Sequence, residues 1–74
     1  MSRYERNKLE YIVMCVFLYA EQKGVGVAQA LSYLLDGLGI RYLVDNYDIE
    51  HTLSIEDTLD ALDIVCSRNV GAIL

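Results

Sequence analysis

Apolar residues recur at intervals of three and four between Leu9 and Ala20, and this spacing predicts one long helix from about Tyr4 to Lys23. Leu9, Ile12, Val13, Val16 and Ala20 define a side facing a core, with Phe17 at its margin. Tyr4, Tyr11, Met14, Cys15 and Leu18 follow the same period on the opposite side. A helix apolar in nearly every direction is either wrapped by its neighbours or shared with another chain. Tyr11, Met14 and Leu18 are therefore candidate partner contacts. A membrane span is set aside, because it needs about 20 apolar residues, whereas the run Tyr11–Ala20 is half as long and lies between Glu10 and Glu21.

The rest of the chain reads as three shorter helices, giving an all-α, compact bundle of about four in a single domain. Residues 1–3 are expected to fray. Gly24 closes the first helix, since glycine takes the left-handed conformation without a side-chain clash. The second helix begins near Val27, capped only by Gly26, and turns Val27, Leu31, Leu34, Leu35 and Leu38 to one side before Gly37 and Gly39 stop it. Ile40 to Tyr47 forms a short third helix with Ile40, Leu43, Val44 and Tyr47 inward. Residues 48–53 lack a helical period and read as an ordered loop. Ser54 and Asp57 have the spacing of a capping box and start the fourth helix, which presents Ile55, Leu59, Leu62 and Cys66 inward as far as about Ser67. The tail of residues 69–74 either packs on the domain or frays.

Composition supports a folded helical domain: hydrophobic residues make up 54% of the chain, and there is no proline. Length is the constraint, since a chain of this size hides only about 60% of its unfolded surface. The net charge of −5 is unevenly distributed. Residues 1–23 balance Arg3, Arg6, Lys8 and Lys23 against Glu5, Glu10 and Glu21, whereas residues 24–67 set eight acids against Arg41 alone. The basic footprint of a nucleic-acid binder is missing, and a protein with a basic surface is the better match.

Within the fourth helix Glu56, Asp60 and Asp63 stand at i, i+4 and i+7. Like charges at such spacing cost about 0.2–0.5 kcal/mol per pair. This stripe is either a solvated face or a docking site for Arg and Lys of a partner.

Cys15 and Cys66 lie in apolar helical patterns without the further ligands of a zinc site, and read as buried free thiols; a disulfide between the two helices is the alternative. With no secretory signal pattern, a reducing cytoplasm is the default location. His51, the only histidine, has Asp48, Glu50 and Thr52 beside it. Neighbours on one loop seldom provide the geometry of a nucleophile with its base, so His51 is expected to hold backbone and pin the third helix to the fourth. No phosphate loop, nucleophile elbow or H-E-x-x-H sequence occurs. No catalytic, cofactor-binding or metal-binding residue is assigned.

The order E-Y-I-V-M-C in the first helix, G-I-R-Y-L-V-D-N-Y at residues 39–47 and D-I-E-H-T at residues 48–52, before an acidic last helix, resembles a family of small bacterial proteins catalogued as domain of unknown function number thirty-seven ninety-one. The likeness covers about residues 9–64, and its Tyr-x-x-x-His-Thr segment is here Tyr47, His51 and Thr52. Where that family often has serine at the start of the second helix, this chain has Gly26. The resemblance implies a helical domain with no assigned enzyme activity. It also implies a role as a small neutralising partner, antitoxin-like, of an ADP-ribosyltransferase-like protein. The expectation is a non-catalytic protein–protein interaction module, with a homo-oligomeric structural protein of unknown role, such as a homodimer, as the alternative and a small enzyme or metal protein centred on His51 as a third.

Overall fold

Ser2 begins the first element by accepting a hydrogen bond from the Glu5 amide (3.1 Å), while the Glu5 carboxylate accepts one from the Ser2 amide (3.4 Å). These reciprocal bonds satisfy two amides that a helix start leaves free. Helix α1 therefore runs Arg3–Lys23, beginning one residue before the expected start at Tyr4. Gly24 closes it as expected, at φ 67°, with its amide directed at the Ala20 and Glu21 carbonyls. The computed structural model describes residues 1–73; Leu74, the end of the tail expected to pack or fray, lies outside the described residues.

Helix α2 (Val27–Asp36) starts at Gly26 with no side-chain cap. The chain turns by 110° between α1 and α2, and among the described residues no single helix is long and apolar enough to cross a membrane. Of the five α2 residues expected inward, only Leu34 is buried; Ala30 takes the second core position. Val27, Leu31, Leu35 and Leu38 are exposed. Gly37 and Gly39 explain this outcome, because they draw the end of α2 against α4. A side chain on either would meet Cys66 atoms at 2.7 Å.

Helix α3 (Gly39–Glu50) reaches beyond the expected end at Tyr47 and takes up half of the residues read as a loop, 48–50. It bends at Asn46 (φ −117°, ψ 16°), whose side-chain amide donates to the Tyr42 carbonyl at 2.9 Å. Val44, expected inward, is exposed. Helix α4 (Ile55–Val70) starts at Ser54, whose hydroxyl accepts from the Asp57 amide (3.1 Å), and extends three residues past the expected end. Asn69 in its last turn donates to the Gly37 carbonyl at 2.9 Å, which ties α4 to the α2–α3 junction.

Every pair of helices makes contact, so the architecture is a small all-α bundle. Its core is Cys15, Val16, Tyr19, Ala20, Ala30, Leu34, Leu43, Leu59, Leu62 and Cys66. Both cysteines are free, buried thiols, in agreement with the reading of their apolar surroundings. Ile73 of the tail packs against this core.

Candidate interaction surface

Helix α1 is turned about its axis relative to the expected orientation. Cys15, Val16, Tyr19 and Ala20 are buried, and Tyr11, Ile12 and Leu18 pack half-buried against the core. Tyr11 and Leu18 are thus not the outward face that the sequence suggested. Only Met14 of those three is exposed, at 43%, and it is joined by Leu9 (50%), Val13 (45%) and Phe17 (55%). The reason is polar. The buried Tyr19 phenol donates to Asp63 Oδ1 at 2.6 Å, and the Tyr11 phenol donates to the Glu50 carbonyl at 3.1 Å, with Thr58 Oγ1 also at 3.1 Å. Buried hydroxyls need such partners. Tyr11, Cys15 and Tyr19, one turn apart, therefore form the inner line and push Leu9, Val13 and Phe17 outward.

Tyr47 and His51 come together, and Thr52 does not join them. The two rings stack at 4.5 Å with 16° between their planes. His51 Nδ1 donates to the Tyr47 carbonyl at 2.7 Å, while Thr52 closes its own turn on the Ile49 carbonyl at 2.6 Å. His51 caps α3 and does not reach α4; the expected pin between those helices is instead the Glu50 carbonyl, which also accepts from Thr58 Oγ1 at 3.4 Å. Tyr4 and Tyr11 meet Tyr47 edge-on at 5.6 and 5.5 Å. Lys8 lies 5.9 Å from the Tyr4 and Tyr47 ring centres, and Tyr4 donates to Asp48 at 2.6 Å. Among the described residues no hydroxyl or thiol hydrogen-bonds the His51 ring, and no cluster of three metal-ligating side chains occurs.

Glu50, for which sequence reasoning had no role, is buried, and its Oε1 has no hydrogen-bond partner among the described residues. The helical step from Leu43 through Tyr47 to Glu50 was the available signal. Burial first, and then the Glu50 charge, raises the Tyr42 phenol above its ordinary range. Burial likewise pushes the Cys15 thiol up to about 11 and the Tyr11 phenol up to about 12. A thiol held that high is a packing group and a poor nucleophile at neutral pH.

The acidic stripe is divided. Glu56 and Asp60 are exposed, as is Asp57 beside them. Asp63 is half-buried and bonds internally, to Lys23 Nζ at 2.5 Å and to the Tyr19 phenol. Burial, then Asp63, pushes the Tyr19 phenol far above its ordinary range. Next to this network lies an open cleft of about 310 Å³, lined by Lys23, Tyr33, Asp63, Ile64, Ser67 and the tail residues Ala72 and Ile73. Tyr33 stacks on Tyr19 at 6.2 Å and donates to the Gly71 carbonyl at 2.6 Å, fixing the tail beside the cleft.

The model of one protein family, described as Protein of unknown function (DUF3791), matches residues 10–69. The chain belongs to that family. No curated protein and no solved structure matches it. The DUF3791 match takes in the Tyr11–Glu50–Thr58 tie, the Tyr19–Asp63–Lys23 network and the Tyr47–His51 stack. It leaves out the Ser2 cap, Tyr4 and Lys8. The DUF3791 description names no activity.

Proposed function

We propose that this DUF3791 chain is a non-catalytic interaction module that binds a protein with a basic surface. The observation that carries this reading is the outer side of α2. Val27, Leu31 and Leu35 stand exposed along it at intervals of four, and Leu38 stands exposed just past its end, beyond Asp36. Leaving such a strip in water forgoes burial worth about 25 cal/mol per Å² of apolar surface, and strips of this kind mark association sites. Leu38 adds to the argument, because it holds a left-handed backbone (φ 66°) while its side chain points half-exposed into solvent. Strain kept at an exposed apolar residue suggests a binding role.

The exposed acids of α4, Glu56, Asp57 and Asp60, supply the complementary charge for a basic partner. An ADP-ribosyltransferase-like enzyme fits this description, since a site for an anionic dinucleotide presents basic groups that a small acidic protein covers. In that case the chain is an antitoxin-like inhibitor. Co-expression with such an enzyme tests the reading: copurification at low salt, weakened by Leu35→Asp and by Glu56→Lys with Asp60→Lys, is expected. Failure to copurify at any salt concentration counts against it.

A further inference from the structure

The outer face of α1 remains free under that proposal, and its own charges indicate what covers it. We propose that it seats α1 of a second copy, antiparallel, about a twofold axis passing between Val13 and Met14. Leu9, Val13, Met14 and Phe17 are the exposed apolar residues of this face, with the exposed Glu10 among them, and its ends carry opposite signs, Arg6 on the amino side and Glu21 on the carboxyl side. Neither Arg6 nor Glu21 makes an ion pair among the described residues, where the pairs are Lys23–Asp63 and Arg41–Asp45.

The register follows from symmetry. Setting Val13 against the partner's Met14 brings Arg6 opposite the partner's Glu21, and the twofold axis repeats the pair at the other end. Phe17 then lies over the methylene groups of the partner's Glu10, between the partner's Leu9 and the partner's Val13, whereas a parallel pair sets Glu10 on Glu10. A parallel arrangement places Arg6 on Arg6 and Glu21 on Glu21, so the order of signs along the helix selects against it. The strip also has reach, because a helix of 21 residues is about 31 Å long and the molecule is 36 Å in its longest dimension. The strip on α2 has a charge of one sign at one end only, Asp36, and specifies no such self-pairing.

Sedimentation velocity of the full chain over a dilution series tests this arrangement. The expected result is a dimer that dissociates on dilution and on adding salt. Phe17→Asp abolishes it while leaving the helical circular dichroism intact, because Phe17 is more than half exposed. Arg6→Glu and Glu21→Arg each weaken dimerisation about tenfold, and the double variant Arg6→Glu with Glu21→Arg restores it. A monomer at every concentration, a dimer indifferent to Phe17→Asp, or a double variant no better than the singles overturns the proposal. Binding of a basic partner by the Phe17→Asp monomer is a separate readout, so either reading can fail alone.

Discussion

Cys66 leaves no room for a side chain at Gly37: a Cβ placed there would lie 2.7 Å from the Cys66 Cβ and 2.9 Å from its Cα. At Gly39 the nearest obstacle is different, the Cys66 sulfur at 2.7 Å. The two glycines are therefore needed for space, and they respond differently to change at Cys66. Gly37→Ala and Gly39→Ala should each cost about 1–3 kcal/mol, the usual effect of overpacking. Cys66→Ala removes the sulfur but keeps the Cβ, so it should recover part of the loss for Gly39→Ala and little for Gly37→Ala. Urea unfolding of the three single variants and of each glycine variant combined with Cys66→Ala, as two double-mutant cycles, would show the difference.

Between those glycines Leu38, and not a glycine, adopts the left-handed conformation, with φ 66° and ψ 18°. That geometry costs an L-residue about 1–2 kcal/mol. Leu38→Gly should raise stability by about 0.5–1 kcal/mol, after the greater freedom of the unfolded chain is discounted. The same variant should bind a partner less well if the α2 strip is its seat. Thermal unfolding gives the first quantity and a pull-down the second.

Asp63 serves Tyr19 and Lys23 unequally. Asp63→Ala strands a fully buried phenol and should destabilise by about 1–3 kcal/mol. Removing Lys23 instead breaks a partly solvated ion pair, so Lys23→Met should cost no more than about 1 kcal/mol. Chemical denaturation of both variants at neutral pH checks the order.

Alkaline pH should unfold the protein through its buried tyrosines and thiols. Tyr11 rises from 10.0 to about 12 and Cys15 from 9.0 to about 11 on folding, both chiefly through burial. Each group keeps its proton longer in the folded state than in the unfolded one. Their contribution to stability is therefore complete below pH 9 and is lost progressively as pH rises through the folded values. Unfolding free energy measured from pH 7 to pH 12 should fall across that window, and the fall should be shallower for Tyr11→Phe and Cys15→Ala.

Glu50 buries a side-chain oxygen that has no hydrogen-bond partner among the described residues. A buried polar atom left without a partner carries a desolvation cost of about 1–3 kcal/mol, so Glu50→Met, which removes it at similar volume, should be neutral or stabilising. Its backbone carbonyl, which carries the tie to α1 and α4, is unchanged by the substitution. A loss of stability in urea would show that the carboxylate is better accommodated than its contacts indicate.

The helices themselves were legible because their signals are local: the apolar period of α1, the stop at Gly24 and the start at Ser54. The same spacing that marks Ser54 and Asp57 also marks Ser2 and Glu5, so the start of α1 was readable too. The rotation of α1 was not. It depends on where the hydroxyls of Tyr11 and Tyr19 find acceptors, on Glu50 and Asp63, and those partners are 39 and 44 residues away. Apolar periodicity treats Tyr19 as an ambiguous position and Val13 as a core position, whereas the hydrogen bonds reverse the two. Glycine was similarly misleading at Gly37 and Gly39, where it reads as a stop signal but serves as room for Cys66. For the candidate surface, Met14, Glu56 and Asp60 are exposed as expected, while Tyr11, Leu18 and Asp63 are drawn into the molecule's own bonding.

The Glu50 carbonyl receives Tyr11 from one helix and Thr58 from another, so a single backbone oxygen fastens three of the four segments. A chain joined at such a node does not come apart piece by piece. Hydrogen exchange in the last turn of α3 should consequently proceed only with disassembly of the entire molecule, at the slowest rate the protein displays.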